Sequence, residues 1–115
     1  MRTTGAAPLS QVQIEEEIVR LSELLEGVTE ELAGRAINAA TADATFKSQF
    51  ASRFLIAEGP IGQREQQAMS ECEDEYRERK ISEALQLASQ EQARNLRSQL
   101  SALQTLASNQ RALVS

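Results

Sequence analysis

The sequence predicts an all-α fold, a long antiparallel two-helix hairpin closed as a coiled coil. Three observations carry that expectation. Ile14, Ile18, Leu21, Leu25, Val28 and Leu32 follow one another in steps of 4, 3, 4, 3 and 4, the alternation of a coiled-coil seam. Near the middle stands the strongest breaker, Glu58-Gly59-Pro60-Ile61-Gly62, where Gly59 suits a left-handed helix end and Pro60 cannot continue a helix. After Gly62 there is neither Gly nor Pro, so the second arm is free to run as one helix.

Taken in order, residues 1–9 hold Thr3, Thr4, Gly5 and Pro8 and read as a disordered N-terminal tail. The hairpin proper spans 10–115, with helices at 10–57 and 63–113 around a turn at 58–62. Ser10 and Gln13 have capping-box spacing, and Glu15, Glu16 and Glu17 put negative charge near the positive end of the helix dipole. The first seam extends through Ala36 and Ala39 to Asp43 and then Phe46, Phe50 and Phe54. Gly27 and Gly34 each cost about 1 kcal/mol against Ala without breaking so long a pattern. The weakest place is 38–45, where Thr41, Asp43 and Thr45 lower propensity; a kink there, giving three helices, is the alternative.

In the second arm the apolar pattern opens with Ala68, Met69, Cys72 and Tyr76. It continues through Ile81, Leu85, Ala88, Gln92, Leu96, Leu100, Leu103 and Ala107 to Gln110 and Val114. Its mean spacing exceeds 3.5, which predicts weaker supercoiling than a strict heptad gives. Folding at residue 60 sets position i against roughly 120 − i. Ile14, Ile18, Leu21 and Leu25 then face Leu106, Leu103, Leu100 and Leu96. Ala33, Ala36, Ala39 and Ala40 face Ala84 and Ala88. Phe46, Phe50 and Phe54 face Tyr76, Cys72, Met69 and Ile61. Each arm spans about 70 Å at 1.5 Å per residue.

A two-helix hairpin buries little surface per residue. Leu24, Leu55, Ile56, Leu87 and Leu113 lie off the seam and form a candidate interface, so the hairpin is expected to pair with a second copy into a four-helix bundle or to dock on a protein partner. The alternative is that they are ordinary exposed aliphatics.

Composition bounds the function. The chain has 115 residues and no His, which removes Ser-His, Cys-His and His-metal chemistry. Cys72 is the one cysteine, so no intramolecular disulfide forms; the expectation is a small core residue in a reducing cytoplasm. Neither a signal peptide nor a membrane-spanning stretch is evident. Glu71, Asp74, Glu75 and Glu78 make a carboxylate ridge that could hold a hard cation. Arg77, Arg79 and Lys80 interleave with it, favouring a solvated, salt-bridged face. With no phosphate-cradling glycine loop, the reading is that the chain is not an enzyme, with no catalytic, cofactor or metal residues.

The net charge is −5. Residues 1–34 hold seven acids and two bases, and the remainder balances ten against ten. Such a chain lacks the footprint of a tight nonspecific nucleic-acid binder. Arg94, Arg97 and Arg111 could still track phosphates, although no aromatic lies nearby to stack on a base. Pairing with Glu15, Glu16, Glu17 and Glu23 across the hairpin is the favoured role for these arginines. The acidic start of the first arm could also mimic DNA or dock on a basic protein surface, and the turn could serve as a recognition tip.

Lys47, Ala51, Leu55, Ala57, Glu58 and Gly59 fit a "KxxxAxxxLxAEG" segment, and Leu96, Arg97, Gln99, Leu100, Leu103, Gln104 and Arg111 fit "LRxQLxxLQ…R". Over 43–112 the chain resembles small helical proteins encoded by bacteriophages and prophages, especially of actinobacteria. That family has no settled activity, and its members look like products of early phage regions, often among replication and recombination genes. The resemblance implies a non-enzymatic phage accessory protein that acts in the host cytoplasm through protein–protein contacts. The alternatives are a nucleic-acid-binding accessory factor in phage replication or recombination, and a virion scaffold or connector component.

Overall fold

The computed structural model describes residues 9–114 and consists there of α1 (Gln11–Ile56), α2 (Ile61–Glu71) and α3 (Glu73–Val114). No strand occurs among the described residues, and the long helices α1 and α3 pack against each other as an all-α hairpin. The expected disordered tail at 1–9 lies outside the described residues apart from Leu9. Chain contacts divide into a terminal unit, residues up to Thr29 with those from Glu91 on, and a turn unit, Glu30–Gln90.

The start of α1 is set locally. Ser10 N–H donates to Gln13 Oε1 at 2.8 Å and Gln13 N–H donates to Ser10 Oγ at 3.2 Å. This reciprocal capping box satisfies two amides that the first turn leaves without partners. At the other end Arg53 lies in the last turn of α1, where a cation suits the dipole. Gly59 has φ +106°, a left-handed conformation that a side chain would strain. A Cβ there would also come within 2.9 Å of Gln63 Oε1. Pro60, extended at φ −62° and ψ 158°, caps α2, and its carbonyl accepts Arg64 N–H at 3.0 Å.

In the terminal unit the core is aliphatic. Leu21, Val28, Ala93, Leu96 and Leu100 form one buried cluster, with Ile18, Leu25 and Leu103 packed against it. Ile14 and Ala107 are buried as well, whereas Leu106, expected opposite Ile14, is exposed. Across the ends of the helices Gln110 Nε2 donates to the Leu9 carbonyl at 2.9 Å.

The turn unit bears out one expectation, the single first helix, and corrects two. First, α1 runs unbroken through 38–45. The low propensity of Thr41, Asp43 and Thr45 is offset by burial of Ala39, Ala42 and Phe46 and by ion pairs from Asp43 to Lys47 (2.9 Å) and Arg79 (2.8 Å). Second, the interruption falls in the other arm, at Cys72. Its φ of −111° and ψ of 24° leave the helical region, and its N–H bonds to Met69 O at 3.1 Å, a tightened i→i−3 contact, before α3 restarts. Third, the seam of the second arm is not Ile81, Leu85, Ala88 and Gln92. Ser82 and Ser89 are buried while Ile81 and Leu85 are exposed, and Ala84 and Ala88 are exposed too.

The physical reason is register. Ser82, Ser89, Leu96 and Leu103 step by seven, as do Ala93, Leu100 and Ala107. The inward face of α3 therefore keeps a strict heptad, and the looser spacing expected from its apolar residues alone is not what the packing follows.

Candidate functional site

Beginning with the turn unit, Arg35 continues the heptad of Leu21 and Val28 and lands among polar partners. Its Nη1 donates to the Leu85 carbonyl at 3.1 Å and to Ser89 Oγ at 3.0 Å, and Nη2 pairs with Glu31. A guanidinium thus satisfies a hydroxyl that is fully buried at Ser89. Toward the turn the seam becomes aromatic. Phe46 meets Tyr76 edge to face at 5.6 Å and Phe50 at 5.9 Å, and Phe50 stacks on Phe54 at 6.3 Å. Arg79 and Arg64 sit over Phe46 and Phe54 at 5.2 and 4.4 Å, cation–π contacts that let charges lie against the ring cluster. Arg64 Nη2 also donates to the Phe54 carbonyl at 3.0 Å.

Two recesses open in this unit. One, of about 580 Å³, lies between Asn38, Thr41 and Thr45 of α1 and Asp74, Glu75 and Glu78 of α3. Its acidic wall is the ridge singled out in the sequence. Asp74 pairs with Arg77 at 3.1 Å, whereas Arg79 turns to Asp43 and Glu83. Among the described residues no group of three or more acidic or cysteine side chains is placed to hold a metal ion. The second recess, about 410 Å³, is apolar and lined by Phe50, Ala51, Phe54 and Leu55 beside Glu65. Cys72 is buried, and burial, with Glu75 adding to it, pushes its thiol above the ordinary value. That is the state of an inert packing residue and not of an activated nucleophile.

In the terminal unit Arg94, Arg97 and Arg111 are exposed. Arg94 pairs with Glu91 on its own helix at 2.9 Å and not with α1. Arg97 and Arg111 lie two heptads apart on one side of α3, and Arg111 is engaged in an interaction of its own. Glu17 pairs with Arg20, also within one helix, so the expected neutralisation of Arg94 by the acidic start of α1 gives way to local pairs. The Arg20 guanidinium holds the Glu17 carboxyl below its usual range.

The five aliphatics singled out as an interface are all exposed: Leu24 45%, Leu55 76%, Ile56 71%, Leu87 64% and Leu113 87%. Leu55 and Ile56 close α1 beside the apolar recess, Leu24 lies on α1 of the terminal unit, and Leu87 and Leu113 project from different sides of α3. Sequence reasoning missed Arg35, Ser82 and Ser89 because it sought apolar residues. The signal was present as an unbroken seven-residue step from Leu21 and Val28 to Arg35 and from Leu96 back to Ser89 and Ser82.

No helix among the described residues is long and apolar enough to cross a membrane. Comparison with protein-family models, with curated proteins and with solved structures finds no significant match.

Proposed function

We propose that the chain is a non-enzymatic phage accessory protein that works in the host cytoplasm through protein–protein contacts of its hairpin. The observation carrying this reading is the open apolar recess lined by Phe50, Ala51, Phe54 and Leu55, with Ile56 exposed at the same end of α1. Apolar side chains held in water on helices favour a protein surface over a charged polymer as partner. The resemblance over 43–112 supplies the phage setting.

A second reading, a nucleic-acid accessory factor in replication or recombination, rests on Arg97 and Arg111, which share a side of α3. The third, a virion scaffold or connector, requires ordered high-order assembly. Fluorescence anisotropy with labelled single- and double-stranded DNA, at low and physiological salt, separates the first two. The protein-contact reading expects no binding at either salt. Binding that falls steeply with salt and disappears in Arg97→Ala/Arg111→Ala overturns it in favour of the second. Sizing of the pure chain tests the third, which needs particles far larger than a small bundle.

A further inference from the structure

The apolar recess lies wholly within the turn unit, and the charges around it are unevenly engaged. Phe50, Ala51, Phe54 and Leu55 line it from α1, and Glu65 lines it from α2. Ile61 and Met69, both exposed, stand one turn before and one turn after Glu65. The three make one ridge of α2 that reads apolar, acidic, apolar. The cations nearby are taken up or turned away. Lys47 pairs with Asp43 at 2.9 Å. Arg64 lies over the Phe54 ring at 4.4 Å and donates to the Phe54 carbonyl. Arg53 is two positions from both Ala51 and Leu55, about 160° around α1 from each. Glu65 has no ion pair or hydrogen bond among the described residues.

We infer that this recess and ridge form a docking groove for a basic amphipathic helix of a partner protein. A bulky apolar side chain of that helix sits in the recess, and a lysine or arginine one turn along meets Glu65. The inference rests on the protein-contact reading above and names the partner's chemistry. The argument is charge complementarity. A carboxylate set in apolar surface loses water when a partner covers it, and a cation on the partner offsets that loss. An acidic or uncharged helix would leave Glu65 covered and unpaired, and a phosphate would be repelled. The net charge of −5 also draws a basic partner from a distance. The recess, about 410 Å³, is open, so it receives an anchor from a longer segment rather than enclosing a small ligand. Apolar residues one turn apart beside a groove between two helices match the ridge of a third helix. A second copy of this chain lacks the matching ridge. Among its described residues no lysine or arginine has an exposed large aliphatic one turn away on both sides. Lys80 comes nearest, but it lies over the Tyr76 ring at 5.5 Å and has only Ala84 one turn beyond it.

Peptides selected from a random display library on the full-length chain should share a lysine or arginine one helical turn from bulky apolar residues. A labelled peptide of that consensus serves as the probe in fluorescence anisotropy. Glu65→Lys should weaken its binding roughly 10-fold or more and should bind instead the same peptide with its base replaced by glutamate. Ala51→Arg, which puts a long cation into the recess, should abolish binding of both peptides. Glu65 and Ala51 are exposed positions on helices, so the circular dichroism of both variants should match the wild type. A consensus without a base, no consensus, or binding of the basic peptide that Glu65→Lys leaves intact overturns the inference. So does a wild-type chain that sediments as a dimer when Ala51→Arg sediments as a monomer, since a second copy would then fill the recess. Salt-sensitive DNA binding would instead remove the protein-contact reading itself, whatever the peptides show, so the two failures are distinct.

Discussion

In the terminal unit the heptad positions hold Ile14, Leu21 and Val28 on α1 and Ala93, Leu96 and Leu100 on α3. In the turn unit the same periodicity delivers Arg35 and Ala42 on α1 and Ser82 and Ser89 on α3, followed by the ring cluster around Phe46. One geometric repeat thus serves two chemistries. The aliphatic stretch is held by area removed from water, a non-directional force that tolerates small shifts. The polar stretch depends on named partners, Arg35 on Ser89 Oγ and the Leu85 carbonyl and Arg79 on Asp43, and a missing partner there exposes the full cost of a buried polar group.

The comparison is broken most severely by Leu100→Asp in the terminal unit. Leu100 belongs to the buried cluster with Leu21 and Leu96, and a carboxylate there finds no cation. The expected loss is about 4 kcal/mol or more, read as collapse of helicity and of cooperative melting in circular dichroism. An unchanged spectrum and melting curve would mean that α3 meets α1 in another register.

The turn unit is tested by a double-mutant cycle on Arg35→Met and Ser89→Ala. Arg35→Met keeps the bulk of the side chain but removes the donor to Ser89 Oγ, and about 1–2 kcal/mol should be lost. With Ser89→Ala already in place, the same change should cost less, giving a coupling of roughly 1 kcal/mol between the two sites. Additive effects in denaturant titration would show that the guanidinium serves Glu31 and the Leu85 carbonyl alone.

The two units also differ in how far the sequence discloses them. The capping box of Ser10 and Gln13, the left-handed Gly59 and the aliphatic seam are legible because each rests on a residue type with a narrow physical role. Ser82 and Ser89 are not, since serine is the expected occupant of a helix surface; Ser89 Oγ is met by Arg35, fifty-odd positions away in the other arm, and Ser82 Oγ donates to Glu78 on its own helix. Ile81 and Leu85 mislead for the complementary reason: both are apolar and periodic, yet both are exposed while Ser82 and Ser89 are buried. The interruption at Cys72 carries no Gly or Pro to announce it. Of the candidate interface, the exposure of the five aliphatics is legible.

Gly27 and Gly34 offer a smaller and symmetrical test, one in each unit. Both sit inside α1, and a Cβ added at either meets nothing within 4 Å. Each Gly→Ala change should therefore stabilise by about 1 kcal/mol through helix propensity alone, irrespective of the core chemistry beneath it. A gain at Gly27 with a loss at Gly34 in thermal melting would reveal a contact on the turn-unit face that the single chain lacks, such as a partner helix.

The smallest effect sharpens the comparison through acid. Asp43 and Glu17 both have carboxyls held below their ordinary values, Asp43 by Lys47 first and then by Arg79, Glu17 by Arg20. For a depressed carboxyl the sign is fixed. Its contribution is fully present above the unfolded value, about 3.9 for Asp and 4.3 for Glu, and is lost as pH falls through the lower folded value. The partners differ in kind. Glu17 pairs with a residue three positions along its own helix, whereas Asp43 reaches Arg79 on α3 as well as Lys47 on α1. An exposed pair within one helix is screened by water and contributes little, while a contact between helices is lost only when the helices part. Asp43→Asn should therefore flatten the fall in melting temperature between pH 5 and pH 3, and Glu17→Gln should leave that slope nearly unchanged. If Glu17→Gln flattened it equally, the acidic limb would report helix propensity and not the seal between α1 and α3.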